Sequence, residues 1–266
     1  MSVLDDVLAD LTAEGDQLRA AVAGLDAGHW SAPVPAEGWT IATTVAHLLW
    51  TDRVAVLATA AHTPEGKEAW DEIVLEAIAD PAGFVDVGAH ALAQLDPATL
   101  LTRWDAGRVA LAAALRDLPD GHKMPWFGPP MSATSMATAR FMETWAHALD
   151  VYDALGDRPA PTDRIKQVAH FGVRTRNYSF AQQGLAAPAD EFRIELTAPS
   201  GVLWTWGPAD ADQRVTGSAY GFCQVVTQRT HRDDTDLVAV GADAGTWLTI
   251  AQAFAGPAGA GREAKA

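Results

Sequence analysis

The chain has 266 residues, 34 acidic and 19 basic side chains, a formal net charge of −15 and one cysteine. That length is enough for one large domain or two modest ones, and the charge argues against nucleic acid or an anionic membrane surface as partner, because phosphates are held by basic patches. The lone Cys223 excludes an internal disulfide framework and any multi-cysteine zinc site, and suits a reducing cytosol.

The opening run MSVLDDVLAD is acidic from its fifth residue and does not read as a secretory signal. No unbroken apolar stretch of about 18 residues is present to span a bilayer. The expectation is a cytoplasmic protein, monomer or homodimer, acting on a small molecule. Its first elements are helical. Leu4, Val7, Leu8, Leu11, Leu18, Ala21, Val22 and Leu25 form one apolar stripe with acids interleaved. After Pro33 and Pro35, the segment GWTIATTVAHLLWTDRVAVLATA offers Thr40 as N-cap and predicts a second long helix to about Ala61.

Shorter helices are predicted over 64–79 and 81–95. A third long helix follows from DPATLL and stops near Pro119, and a fourth begins near Ser132 after the loop DGHKMPWFGPP. Four long helices with short connections predict an antiparallel bundle. Up to Gly156 the chain carries 22 acidic and 8 basic side chains, against 12 and 11 beyond it. With GDRPAP supplying a helix stop and prolines, this places a domain boundary at 156.

In the second part, DRIKQVAHFGVRTRNYSFAQQG reads as helix. EFRIELTAP and LWTWGP form a predicted hairpin, RVTGSAYGFCQVVTQRT a strand running into a helix, LVAVGA a strand, and DAGTWLTIAQAFAG a closing helix. The reading is a helical bundle over 1–156, an α+β domain over 157–255 and a flexible tail over 256–266.

Within RFMETWAHALDVYDALG, Glu143 and His147 stack one turn apart in an otherwise apolar helix. His47 on the second helix can point into the same core, giving two imidazoles and one carboxylate. Three protein ligands leave a position vacant, as catalytic zinc sites do. The competing reading is a satisfied core pair. An unpaired buried glutamate is costly, which favours an ion. Asp150, one turn past His147, is either an acceptor for the imidazole's free nitrogen or a helix-end acid. Asp52 falls off the ligand face. The remaining histidines show no ligand spacing, and Trp39, Trp50, Trp126 and Trp145 read first as core, with HKMPWFGPP as a candidate lid. Among Arg174, Arg176 and Arg229, any of which can take a carboxylate bidentately, Arg229 is preferred as substrate anchor.

GWTIATTVAHLLWTD together with ARFMETWAHALDVYDALG resembles the metal-binding four-helix domain of the mycothiol-dependent maleylpyruvate isomerase family, an actinobacterial branch of the DinB-like proteins. The family's ligands are a histidine after a GW segment and a Glu-x-x-x-His pair on the last helix, which match His47, Glu143 and His147. Family members append a small α+β domain similar to sterol-carrier folds. The resemblance implies a divalent ion, usually zinc, that favours the thiolate of mycothiol, and an isomerase or S-transferase acting on a small activated, acidic substrate. Two other classes fit the same residues: a thiol-free metal-dependent lyase, hydrolase or cyclase, and a non-enzymatic small-molecule-binding protein whose metal would need a fourth protein ligand.

Overall fold

Ser2 opens the first helix with a reciprocal cap. Its hydroxyl accepts from the Asp5 N–H, while the Asp5 carboxylate takes the Ser2 N–H. The computed structural model describes residues 2–256, 258–259 and 261–265. They group into two units, Met1–Arg158 and Pro159–Ala266.

The first unit is helical throughout: α1 (Val3–Val22), the short α2 (Ala27–Trp30), α3 (Ile41–Ala60), α4 (Pro64–Ala79), α5 (Phe84–Leu92), α6 (Pro97–Asp117) and α7 (Ala133–Leu155). Sequence chemistry sets the ends. Thr40, Thr63, Asp96 and Ser132 each accept a hydrogen bond from the third residue beyond them, and Gly156 closes α7 in the left-handed conformation at φ 69°. The predicted 81–95 helix is shorter than its apolar pattern. α1 buries Val7, Leu8, Leu11, Leu18 and Val22, and α3 is buried on most of its surface, from Ile41 to Thr59. Each fully buried Leu or Val contributes about 1.5–3 kcal/mol.

The long helices do not form a ring in chain order, which would set the second and fourth diagonally. α3 packs on α6 and also touches α7, whereas α1 lies chiefly against α7. The two helices that carry His47 and Glu143 are therefore direct neighbours.

The second unit begins with a 3-10 turn over Asp163–Ile165. It continues as α8 (Lys166–Arg174), α9 (Arg176–Gln182), β1 (Arg193–Thr197), β2 (Leu203–Trp206), β3 (Arg214–Ser218), α10 (Ala219–Val226), β4 (Val238–Val240) and α11 (Ala242–Ile250). The sheet order is β2-β1-β3-β4. β1 pairs antiparallel with β2, as the hairpin reading expects, and parallel with β3, so that Ile194 faces Val215. This is the α plus α+β class expected from the sequence.

Two expectations are corrected here. The helical segment read after residue 163 is divided at Thr175, whose hydroxyl bonds to the carbonyls of Phe171 and Gly172 and competes with the helix ladder. The closing helix ends at Ile250, short of the predicted AQAFAG. There Ser179 Oγ accepts from the Gln252 N–H at 3.0 Å, and the Ala253 N–H donates to the Val226 carbonyl at 2.7 Å. The expected tail over 256–266 includes Pro257, Ala260 and Ala266, which lie outside the described residues. No helix among the described residues is long and apolar enough to cross a membrane.

Candidate metal centre

The chain reaches α3 through a tight turn. The Val34 N–H donates to the Trp39 carbonyl, Pro33 bridges Thr40, and Gly38 takes φ 74°, a conformation that favours glycine. Trp39 is thereby set beside two imidazoles. It stacks on His147 with ring centroids 5.7 Å apart and planes 13° from parallel, and it tilts against His47 at 5.1 Å. The two histidine rings are 4.6 Å apart.

Glu143 lies between them. Its Oε2 is 3.6 Å from His47 Nε2 and 3.4 Å from His147 Nε2, and one donor atom from each of the three residues lies within 4.8 Å of the others. Two zinc bonds of about 2.0–2.1 Å meeting at a tetrahedral angle would place their ligand atoms about 3.3 Å apart, so these separations fit an ion. The two ring nitrogens of His47 are buried without a hydrogen-bond partner among the described residues. A buried polar atom in that state is costly unless something else satisfies it. His147 turns its other nitrogen, Nδ1, toward Asp150 Oδ2 at 3.4 Å, and Asp150 is only 2 % exposed.

The charge states suit the same purpose. Burial lowers the His47 pKa to about 4, which keeps it a neutral ligand, and the neighbouring His147 adds to the effect while Glu143 opposes it. Burial alone would raise Glu143, but the neighbouring imidazoles of His147 and His47 outweigh it and hold the carboxyl well below the usual range. Cys223 has no such activation. It is buried, its Sγ donates to the Ile165 carbonyl, and burial pushes the thiol well up.

The spacing therefore brings His47, Glu143, His147 and Asp150 together. Arg229 belongs to the second unit, just beyond α10, where Nη1 donates to the Thr227 carbonyl at 2.7 Å. Sequence reasoning missed two features. Asp52, which is not part of the cluster, is buried and bonded to Arg140. His62 and His122, which have no ligand spacing, meet ring to ring at 5.3 Å. The HKMPWFGPP loop is pinned through Met124 and Met131, and its Trp126 and Phe127 pack against Trp70 and Phe84.

Fold and site together define a class: an α plus α+β protein whose helical unit carries a cluster of two histidines and one glutamate. Residues 11–152, just over half the chain, match the model of the mycothiol maleylpyruvate isomerase N-terminal domain. The chain belongs to that family. Residues 188–240 match a second model, described as wyosine base formation. Two uncharacterized proteins of Mycobacterium tuberculosis, from strains CDC 1551 / Oshkosh and ATCC 25618 / H37Rv, are each 57% identical over 255 residues, covering 96% of this chain and 97% of theirs. The fold is similar to crystal structures of a mycothiol-dependent maleylpyruvate isomerase. A histidine-to-alanine mutant superposes with TM-score 0.57 at 16% identity, covering 88% of this chain and 92% of that one. A second structure of that enzyme gives 0.54 at 16%, covering 89% and 92%.

Proposed function

We propose that this protein is a metal-dependent, mycothiol-dependent isomerase or S-transferase acting on a small, activated, acidic substrate. The observation that carries the reading is the convergence of His47, Glu143 and His147 donor atoms within 4.8 Å, in a chain of this family. These three residues are the proposed ligands. A divalent ion held by two imidazoles and a carboxylate, zinc by preference, supplies Lewis acidity that favours the thiolate of an incoming thiol near neutral pH.

The chain's own residues do the rest. Asp150 orients His147 through Nδ1 so that Nε2 faces the cluster. Trp39 covers one side of the imidazoles and keeps water off it. Arg229 is assigned the substrate carboxylate, for which a guanidinium is the natural bidentate partner. The buried Cys223 is unsuited to be the nucleophile, so the sulfur comes from the cosubstrate. In the isomerase form, sulfur adds to a conjugated carbon–carbon double bond and the electron pair moves to the carbonyl. The new single bond rotates, and the pair returns as the carbon–sulfur bond breaks, so thiol and atoms are conserved.

The test is cobalt(II) loading followed by addition of mycothiol, read by absorption. A new sulfur-to-cobalt charge-transfer band supports the thiol reading. Cobalt binding without that band transfers the site to thiol-free hydrolase, lyase or cyclase chemistry. Failure of cobalt to bind returns Glu143 and His147 to a core pair and overturns the proposal.

A further inference from the structure

The second unit holds a cleft of about 330 Å³ that is separate in sequence from the histidine cluster and has no role in the proposed chemistry. That volume lies at the small end of ligand sites. Its apolar lining comes from Phe192, Ile194 and Trp247, all buried, and from Trp206 at the end of β2. Its polar lining comes largely from α8 and α9, chiefly His170 and Arg174.

Donors outnumber acceptors among the polar groups, and Glu191 is the one carboxylate of the lining. Trp206 Nε1 donates to His170 Nδ1 at 3.4 Å, which fixes the imidazole as the tautomer carrying its proton on Nε2. The Trp247 indole N–H is fully buried and has no acceptor among the described residues. Indole N–H groups usually find a partner when buried, so this one is an unmet donor in the core behind the cleft.

Two arginines line the cleft, and they differ. Arg176 is committed to the protein. It donates to the carbonyls of Asp190 and Pro188 and to Asn177 Oδ1, lies 4.3 Å over the Phe192 ring, and is countered by the charge of Glu191. Arg174 is exposed at the rim and forms no hydrogen bond or ion pair among the described residues. Among the lining residues, Glu191 offsets Arg176 and His170 is neutral, which leaves Arg174 as the uncompensated cation; Asp243, outside the lining, also acts on Arg176. Aromatic walls with one uncommitted guanidinium match a flat, apolar body that ends in an anionic group.

We infer that this cleft binds a small aromatic carboxylate, with the ring against Phe192, Trp206 and Trp247 and the carboxylate on Arg174. The inference does not rest on the metal site. It is tested on the full chain by isothermal titration with cinnamate and with its neutral counterpart cinnamamide. Cinnamate is expected to bind, with the amide at least tenfold weaker. Arg174→Ala, at an exposed position that leaves folding intact, should weaken cinnamate at least tenfold while leaving the amide unchanged, and Arg174→Lys should restore part of the loss. His147→Ala should change nothing. Absence of cinnamate binding, equal affinity for acid and amide, or an Arg174→Ala protein that binds like the parent would each overturn the assignment. So would loss of binding in His147→Ala, which would place the ligand at the histidine cluster.

Discussion

Asp52 on α3 and Arg140 on α7 form a buried ion pair, with Arg140 Nε 2.9 Å from Asp52 Oδ1 and the side chains 5% and 3% exposed. The pair ties together the two helices that present the proposed metal ligands: Asp52 follows His47 by five positions, and Arg140 precedes Glu143 by three. Burial pushes the Asp52 carboxyl up, and Arg140 counters that only in part, so the pair is held at a cost. Its value lies in fixing how α3 meets α7.

Removing one partner should therefore be far worse than removing both. Arg140→Ala strands the Asp52 carboxylate and is expected to cost about 3–5 kcal/mol, whereas the double variant Asp52→Leu with Arg140→Met should recover most of that loss. Urea unfolding of the metal-free proteins measures both. Recovery of stability without recovery of metal affinity would show that the pair positions the helices rather than stabilising them.

Asp150 is expected to act through His147. Asp150→Asn should weaken divalent-metal affinity by about 10–100-fold, with little change in fold by circular dichroism. Asp153→Asn is the control, since Asp153 is exposed and pairs with Arg158. Competition titration against a chelator measures each affinity, and equal losses in the two variants would remove Asp150's special role.

The site was legible in sequence where it depends on local spacing. Glu143 and His147 sit one turn apart on any helix, and Thr40, Ser132 and Gly156 mark helix ends by their own chemistry. Relationships that depend on the relative rotation of two helices were not legible. Asp52 and Arg140 are 88 residues apart, and the offset of Asp52 from His47 placed it off the ligand face without showing its partner. The β1–β2 hairpin was readable from its turn, but the parallel pairing of β1 with β3 brings together strands that are not consecutive. In AQAFAG, apolarity correctly marked burial of Ala251 and Ala253 and wrongly implied a helix, because the backbone there bonds to α9 and α10 instead.

Gly88 tests how α5 is seated on α3. A Cβ at this position would lie 2.3 Å from Trp50 Nε1 and 2.5 Å from Trp50 Cε2. Trp50 is one turn beyond His47 and packs edge-on against Phe84 at 4.9 Å, so it has little room to yield. Gly88→Ala should destabilise by about 1–3 kcal/mol through overpacking, despite alanine's better helix propensity. The thermal unfolding midpoint decides: an unchanged or higher value would mean that α5 moves freely over α3.

Acid should unfold the metal-free protein through its histidine cluster. His47 titrates near 4 when folded, against 6.5 for the unperturbed side chain, because burial opposes its charging. Between those values the unfolded chain binds the extra proton, so stability is complete above about pH 6.5 and falls as pH drops toward 4, by up to about 3 kcal/mol. Glu143 acts in the same direction at lower pH: its folded value lies well below the ordinary 4.5 of a glutamate, so its contribution is lost as pH falls beneath that figure. Urea midpoints measured from pH 7.5 down to pH 4 should therefore decline for the parent. The decline should be markedly shallower in His47→Gln, which cannot titrate. A parallel decline in both would place the acid sensitivity elsewhere.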